Sequence, residues 1–322
     1  MNEDNVRKYL EVIKRATQLI ERELTTPGTP EQLMGEINMP APPAPPVQNI
    51  VSPEEPKPLN KEEFEARQKH IQDLMAIDCW PEAVPDYLVN DETKENQINR
   101  ANMVLDWLID RPIEGKDFLD FGCGDGWITK QALNRGVETS TGYDIKESPN
   151  WANIEGVTFT TDLGSLSNDG YDVIMLYDVL DHCEDPVGVM QTVKGLLKFN
   201  GGVVYVRCHP WTSKHATHAY KQGLNKAFIH LFLTWEEIDE LLGDQEPMFT
   251  RKEISPTDAY HWWFHEFNIV KERFVKGEPV SNFFLVESFK DLVIQQQQLP
   301  QERIASFFKD MEIDFIDYIL EK

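Results

Sequence analysis

The segment Asp120-Phe-Gly122-Cys123-Gly124-Asp-Gly126 carries the densest chemical signal in the chain. Its glycines let the backbone turn sharply and let a ligand approach without a Cβ in the way. The residues that follow, WITKQALNR, read as a helix whose first turn offers free N–H groups to that ligand. Spacing narrows the choice. A dinucleotide fingerprint needs glycine at 127, where this chain has Trp127, and no Gly-Lys-Ser/Thr closes the loop as in a P-loop. An acidic residue two positions before the first glycine suits a cationic ligand better than a pyrophosphate. A second group of residues could handle protons. Asp178 and His182 follow the strand-like YDVIMLYD, and His209 follows GGVVYVRC. Histidine is the side chain best matched to proton acceptance near neutral pH, although a structural histidine bonded to a carbonyl is the competing reading of His182.

With these residues in place the chain resembles the class I S-adenosylmethionine-dependent methyltransferases, over roughly residues 93 to 288. The glycine loop matches the family's acidic-x-G-x-G-x-G form. Tyr143-Asp144 ends a second strand where the family has the acidic residue that accepts from both ribose hydroxyls, and Thr161-Asp162 ends a third. YDVLDHCEDP is close to the family pattern D-V-L-E-H-x-x-D-P, and LLKFNGG resembles its L-K-P-G-G turn, with Phe199-Asn200 in place of proline. The resemblance implies an α/β fold, a doubly wound, mostly parallel seven-stranded sheet of order 3-2-1-4-5-7-6 with the last strand antiparallel. It implies S-adenosyl-L-methionine as cofactor. Asp120, Gly122, Cys123, Gly124 and Gly126 would surround its methionine part, Asp144 its ribose and Asp162 its adenine, with Tyr177 also lining the site. Methyl transfer from a sulfonium is an in-line displacement that asks the protein chiefly for alignment and exclusion of water. His182, His209 and Asp178 are the catalytic candidates at the strand ends.

The elements that must position these groups follow from periodicity. ETKENQINRANMVLDWLI reads as a helix, and KDFLDFG, STGYDI, VTFTTD, YDVIMLYD and GGVVYVRC as successive strands, with helices WITKQALNR and PVGVMQTVKGLLK between them. The helix TWEEIDELLG and the strands NIVKERFV and SNFFLVES come next. ERIASFFKDMEIDFIDYIL is expected to form one helix, with Phe307, Met311, Phe315 and Ile319 on a shared face. This divides the chain into an amphipathic N-terminal helix (1–25), a proline-rich linker (26–60), a methyltransferase domain (61–292, with leading helices over 61–115) and an acidic helical tail (293–322). The linker holds ten of the 20 prolines and favours an extended spacer.

Between the fifth strand and TWEEIDELLG lies RCHPWTSKHATHAYKQGLNKAFIHLFLT, locally basic in a chain whose formal net charge is −24. It reads either as a lid helix with a solvated polar face or as the contact for an anionic or sugar-like acceptor. His215 and His218, with His209 nearby, lack a cysteine pair or an H-x-x-x-H helix, so no metal centre is expected. AYHWWFHEF reads mainly as core packing at the sheet edge. The excess of acidic residues disfavours nucleic acid as a partner. Neither a membrane span nor a signal peptide is expected, and four scattered cysteines fit a reducing, cytoplasmic setting. The expectation is a methyltransferase acting on oxygen or nitrogen of a small molecule, with a protein partner or self-association through the N-terminal helix. The alternatives are a methyltransferase-like assembly module and a protein methyltransferase.

Overall fold

Strands that are buried on both faces need apolar side chains at successive positions, and the short runs in this chain meet that demand. In a computed structural model, which describes residues 80–84, 93–216, 218–243, 263–277, 279–280 and 287–322 with isolated positions between 62 and 76, these runs form one seven-stranded sheet. Its strands are β1 (Asp117–Phe121), β2 (Thr139–Tyr143), β3 (Thr158–Thr160), β4 (Val173–Tyr177), β5 (Val203–Cys208), β6 (Asn268–Lys276) and β7 (Ile313–Glu321), in the order β3-β2-β1-β4-β5-β7-β6. The first five pair in parallel, and β7 runs antiparallel to both β5 and β6.

Alternation along the strands sorts the core into two layers. Phe118, Val173, Met175, Val203 and Tyr205 face α1 (Lys94–Leu108) and α2 (Trp127–Asn134), which add Val104, Leu105, Leu108 and Ala132. Leu119, Ile174, Leu176, Val204 and Val206 face the other way, against Met190, Val193 and Leu196 of α3 (Pro186–Leu196). Asp185 caps α3 through the Gly188 N–H and Pro186 opens it, so the Asp-Pro of the YDVLDHCEDP segment is a helix start. Among the described residues, further helices are a single turn at Ile229–Phe232, α4 (Trp235–Leu242), opened by a Thr234/Glu237 capping box, α5 (Glu287–Gln296) and α6 (Gln301–Asp310).

The C-terminal segment departs from expectation. ERIASFFKDMEIDFIDYIL is not one helix: α6 stops at Asp310, and Ile313–Glu321 enters the sheet as β7. A strand between two neighbours is buried on both faces, so apolar residues fall on both sides of β7 and some of them match helical spacing. The methyltransferase-type domain therefore extends to residue 322 instead of ending at 292, and 293–322 is no separate helical tail. Glu287 and Ser288, assigned above to a strand, begin α5. The N-terminal helix, the proline-rich linker, most of SNFFLVES and the first four residues of AYHWWFHEF lie outside the described residues. Among the described residues, no helix is long and apolar enough to cross a membrane.

Arg207 of β5 and Asp317 of β7 are register partners, and their buried side chains form a bidentate ion pair at 2.6 and 2.8 Å. Arg273 of β6 binds the same carboxylate, and Arg207 lies 4.6 Å from the ring centres of both Trp107 and Phe315. Removing one partner of such a pair leaves the other charge buried and uncompensated. Asp317→Asn is expected to cost about 3–5 kcal/mol of stability, measured as a lower urea midpoint, with Arg273→Gln costing clearly less because its side chain is more exposed.

Candidate active site at the ends of β1, β2, β4 and β5

The glycine loop leaves β1 at its C-terminal end and is tied to the end of β2. Gly122 and Cys123 both donate to the Tyr143 carbonyl, at 2.7 and 2.9 Å, and the Gly124 N–H donates to Asp144 Oδ2 at 2.9 Å. Gly122 has φ +81°, and a Cβ there would fall 2.4 Å from a Val179 methyl, so the loop tolerates only glycine at this point. Gly124 differs. Its φ is +48° and a Cβ would meet nothing within 4 Å, so the open side of the loop is a cradle that a side chain would fill.

Both oxygens of Asp144 already accept one backbone N–H, from Gly124 and Lys146, which aims the carboxylate while leaving lone pairs for further donors. This fits a pair of ribose hydroxyls. Trp151 closes the same corner, its Nε1 donating to the Gly124 carbonyl and its ring stacked on Phe159 at 4.9 Å and 6°. Asp162 ends β3 and caps a short 3-10 turn through the Gly164 N–H, with its side chain in an exposed setting. The loop, Asp144 and Asp162 thus lie beyond the C-terminal ends of β1, β2 and β3, and the open loop and the Asp144 lone pairs fit S-adenosylmethionine.

Asp120 sits beneath the loop, almost fully buried, with Oδ2 accepting from the Thr129 hydroxyl at 2.8 Å. Burial, opposed by that hydrogen bond, pushes its carboxyl up to about 7. Burial and the carboxylates of Asp120 and Asp144 also raise the Cys123 thiol, which is therefore no nucleophile. Tyr177 packs with the core on the α1 side, its hydroxyl pushed up by burial.

Across Val179 from the glycine loop lies a cluster of histidines and carboxylates. Asp178, at φ +52°, leaves β4 in the left-handed region, and the turn Leu180–His182 follows. His209 stands at the end of β5 with Nδ1 donating to the Asp314 carbonyl at 3.0 Å. Its Nε2 lies 3.7 Å from Asp178 Oδ2. Asp178 Oδ1 is buried without a hydrogen-bond partner among the described residues. The ring of His218 stacks on His182 at 4.9 Å and lies 5.2 Å from His209, while His215 meets His209 at 4.3 Å. Burial pushes His218 down to about 2 and His215 well below the usual imidazole range, so both rings are neutral. Burial and the neighbouring Asp178 raise the Asp181 carboxyl.

The three catalytic candidates therefore meet, joined by Asp181, His215 and His218. The insertion that supplies His215 and His218 is not a solvated lid helix. Trp211, Ala219, Leu224, Phe228, Ile229 and Leu231 bury themselves with Trp80 and α4 to α6 in a second apolar core. Arg207 belongs to the β5–β7 ion pair and Lys226 lies over Trp80 at 5.2 Å, so these two basic groups are already engaged within the protein.

A family model described as a methyltransferase domain matches residues 95–269, just over half of the chain. Ubiquinone biosynthesis O-methyltransferase of Aeromonas salmonicida is 30% identical over 124 residues, covering 34% of this chain and 50% of that protein. The protein of the same name from Acinetobacter baumannii (strain AYE) is 26% identical over 124 residues, covering 34% and 51%. The chain thus spans about half the length of the curated relatives it matches. A SAM dependent methyltransferase structure from Archaeoglobus fulgidus aligns at 18% identity and a TM-score of 0.41, over 74% of this chain and all of that one.

Two outcomes are expected from the loop. Gly124→Ala should fold, at a cost of about 1–2 kcal/mol for the left-handed backbone, yet bind S-adenosylhomocysteine at least tenfold more weakly by calorimetry. Because the folded pKa of Asp120 lies above its unfolded value, the stability it contributes is fully present below about pH 4 and is lost as pH rises through about 7. Thermal melts of the ligand-free protein between pH 5 and 8 should accordingly be flatter for Asp120→Asn than for the parent.

Proposed function

Since the chain belongs to the class I S-adenosylmethionine-dependent methyltransferases, we propose that it moves the cofactor's methyl group to an oxygen of a small hydroxyl-bearing acceptor. The observation that carries this reading is the adjacency of two differently built halves. Gly122 touches Val179, the residue after Asp178, so the cofactor-type loop and the Asp/His cluster share a wall. The relatives' name, an O-methyltransferase, favours oxygen over nitrogen. An anionic or sugar-like acceptor is a weaker reading, because Arg207 and Lys226 of the basic insertion are engaged within the protein.

When bound, the cofactor supplies a methyl group already activated on a sulfonium. The rest falls to the chain's own residues. Gly122 to Gly126 and Asp144 hold the donor, with the ring pair Trp151/Phe159 bracing the loop from behind. A neutral hydroxyl is a poor nucleophile, so the acceptor must give up its proton as the O–C bond forms and the C–S bond breaks, the electron pair staying on sulfur. Asp178 and His182, the more accessible members of the cluster, stand where that hydroxyl would lie. His209, buried and fixed by Asp314, positions Asp178 rather than meeting the acceptor.

Asp144→Ala is expected to lower S-adenosylhomocysteine affinity by tenfold or more in calorimetry while leaving the melting temperature within a few degrees of the parent. Unchanged affinity would remove the ribose assignment. For the reaction itself, the full chain should consume S-adenosylmethionine when offered small dihydroxy compounds and not when offered amines.

A further inference from the structure

The Asp/His cluster has more ligating atoms than proton transfer needs. One ligand atom each of Asp181, His182 and His218 lies within 4.8 Å of the other two. Two imidazoles and a carboxylate suit a borderline cation such as manganese, cobalt, iron or zinc, and three protein ligands leave positions open for a bound hydroxyl. The spread is slightly wider than bonds of about 2.1 Å allow. His182 is 31% exposed, so rotation about its side-chain torsions can close the gap.

We propose that Asp181, His182 and His218 form a site for one divalent first-row transition-metal cation, which presents the acceptor hydroxyl to the methyl donor. Three observations beyond the ligand spacing support it. The His182 and His218 rings stack at 4.9 Å, which brings imidazoles from two separate segments to one spot. Asp178 Oδ1, beside the site, is buried without a hydrogen-bond partner among the described residues, an acceptor to which a cation-bound hydroxyl can donate. Asp178, beside the site, and His218, within it, both hold left-handed backbone at φ +52° and +50°, which non-glycine residues adopt uncommonly. His209 supplies the outer layer, fixing Asp178 behind the three ligands.

The site rests on the methyl-transfer reading and extends it. A hydroxyl coordinated to the cation ionises more readily, its proton passes to Asp178 or solvent, and the oxygen forms the new bond to carbon while the C–S pair remains on sulfur. His182 is then a ligand, and the cation polarises the acceptor.

The test uses the full chain, stripped with chelator and titrated with Co2+ in the absence of donor and acceptor. One equivalent should bind and produce visible absorption bands. His182→Gln and Asp181→Asn should each weaken that binding at least tenfold. Mn2+-loaded parent protein should show electron spin echo modulation from directly bound imidazole nitrogen, a readout that depends on no variant folding. Absence of saturable Co2+ binding, absence of the nitrogen modulation, or equal affinity in both variants would overturn the site. S-adenosylhomocysteine calorimetry on the same samples reports the donor half separately: its failure would sink the methyltransferase reading while cation binding still stood.

Discussion

The register between β5 and β7 is the constraint on which the remaining structure depends. Arg207 is buried, and Asp317, directly opposite on β7, neutralises it from within the sheet core. A slip of one residue would turn Asp317 to the other face and leave a guanidinium in apolar surroundings, so the ion pair specifies the pairing whatever its net contribution to stability. The same register places the Asp314 carbonyl against His209 Nδ1 and the Phe315 ring 4.4 Å from the His209 ring. A sheet-level electrostatic requirement thus fixes the tautomer of a histidine at the site.

A second coupling runs through space too small for a methyl group. Gly122 accepts Val179 where any Cβ would collide, and Val179 lies between Asp178 and the turn bearing Asp181 and His182. The glycine loop and the Asp/His cluster are thereby held at contact distance by packing. Proximity of this kind is what a displacement reaction most needs from its protein.

The parallel part of the sheet was readable because its signals are local. β4 and the first four residues of β5 are apolar runs, β1 to β3 are short segments rich in Phe, Thr and Tyr, and the glycine loop, Asp144 and the Asp185-Pro186 helix start each lie within a few residues of the strand they follow. β7 was not readable. Its run Ile313–Glu321 follows α6 with neither glycine nor proline at Met311-Glu312 to mark the break, and Phe307, Met311, Phe315 and Ile319 fall by chance at helical spacing. The histidine cluster was readable only in part. Asp178, His182 and His209 share the ends of adjacent strands, whereas His215 and His218 of the insertion reach His182 and His209 only through the fold. Burial of the insertion was equally hidden, since its core partners Trp80, Phe289 and Met311 are remote in sequence.

The placement of β7 also bears on synthesis at the ribosome. Among the described residues β6 is an edge strand paired with β7, and β7 begins 37 residues after β6 ends. At about 5–20 residues per second, β6 emerges and waits some seconds before its partner exists. During that interval its backbone donors and acceptors, with Val270 and Phe274 alongside, have no strand of their own chain to pair with. The nascent chain is then most exposed to intermolecular strand pairing, and a chaperone that shields extended segments would matter more to the yield of this protein than to its final stability.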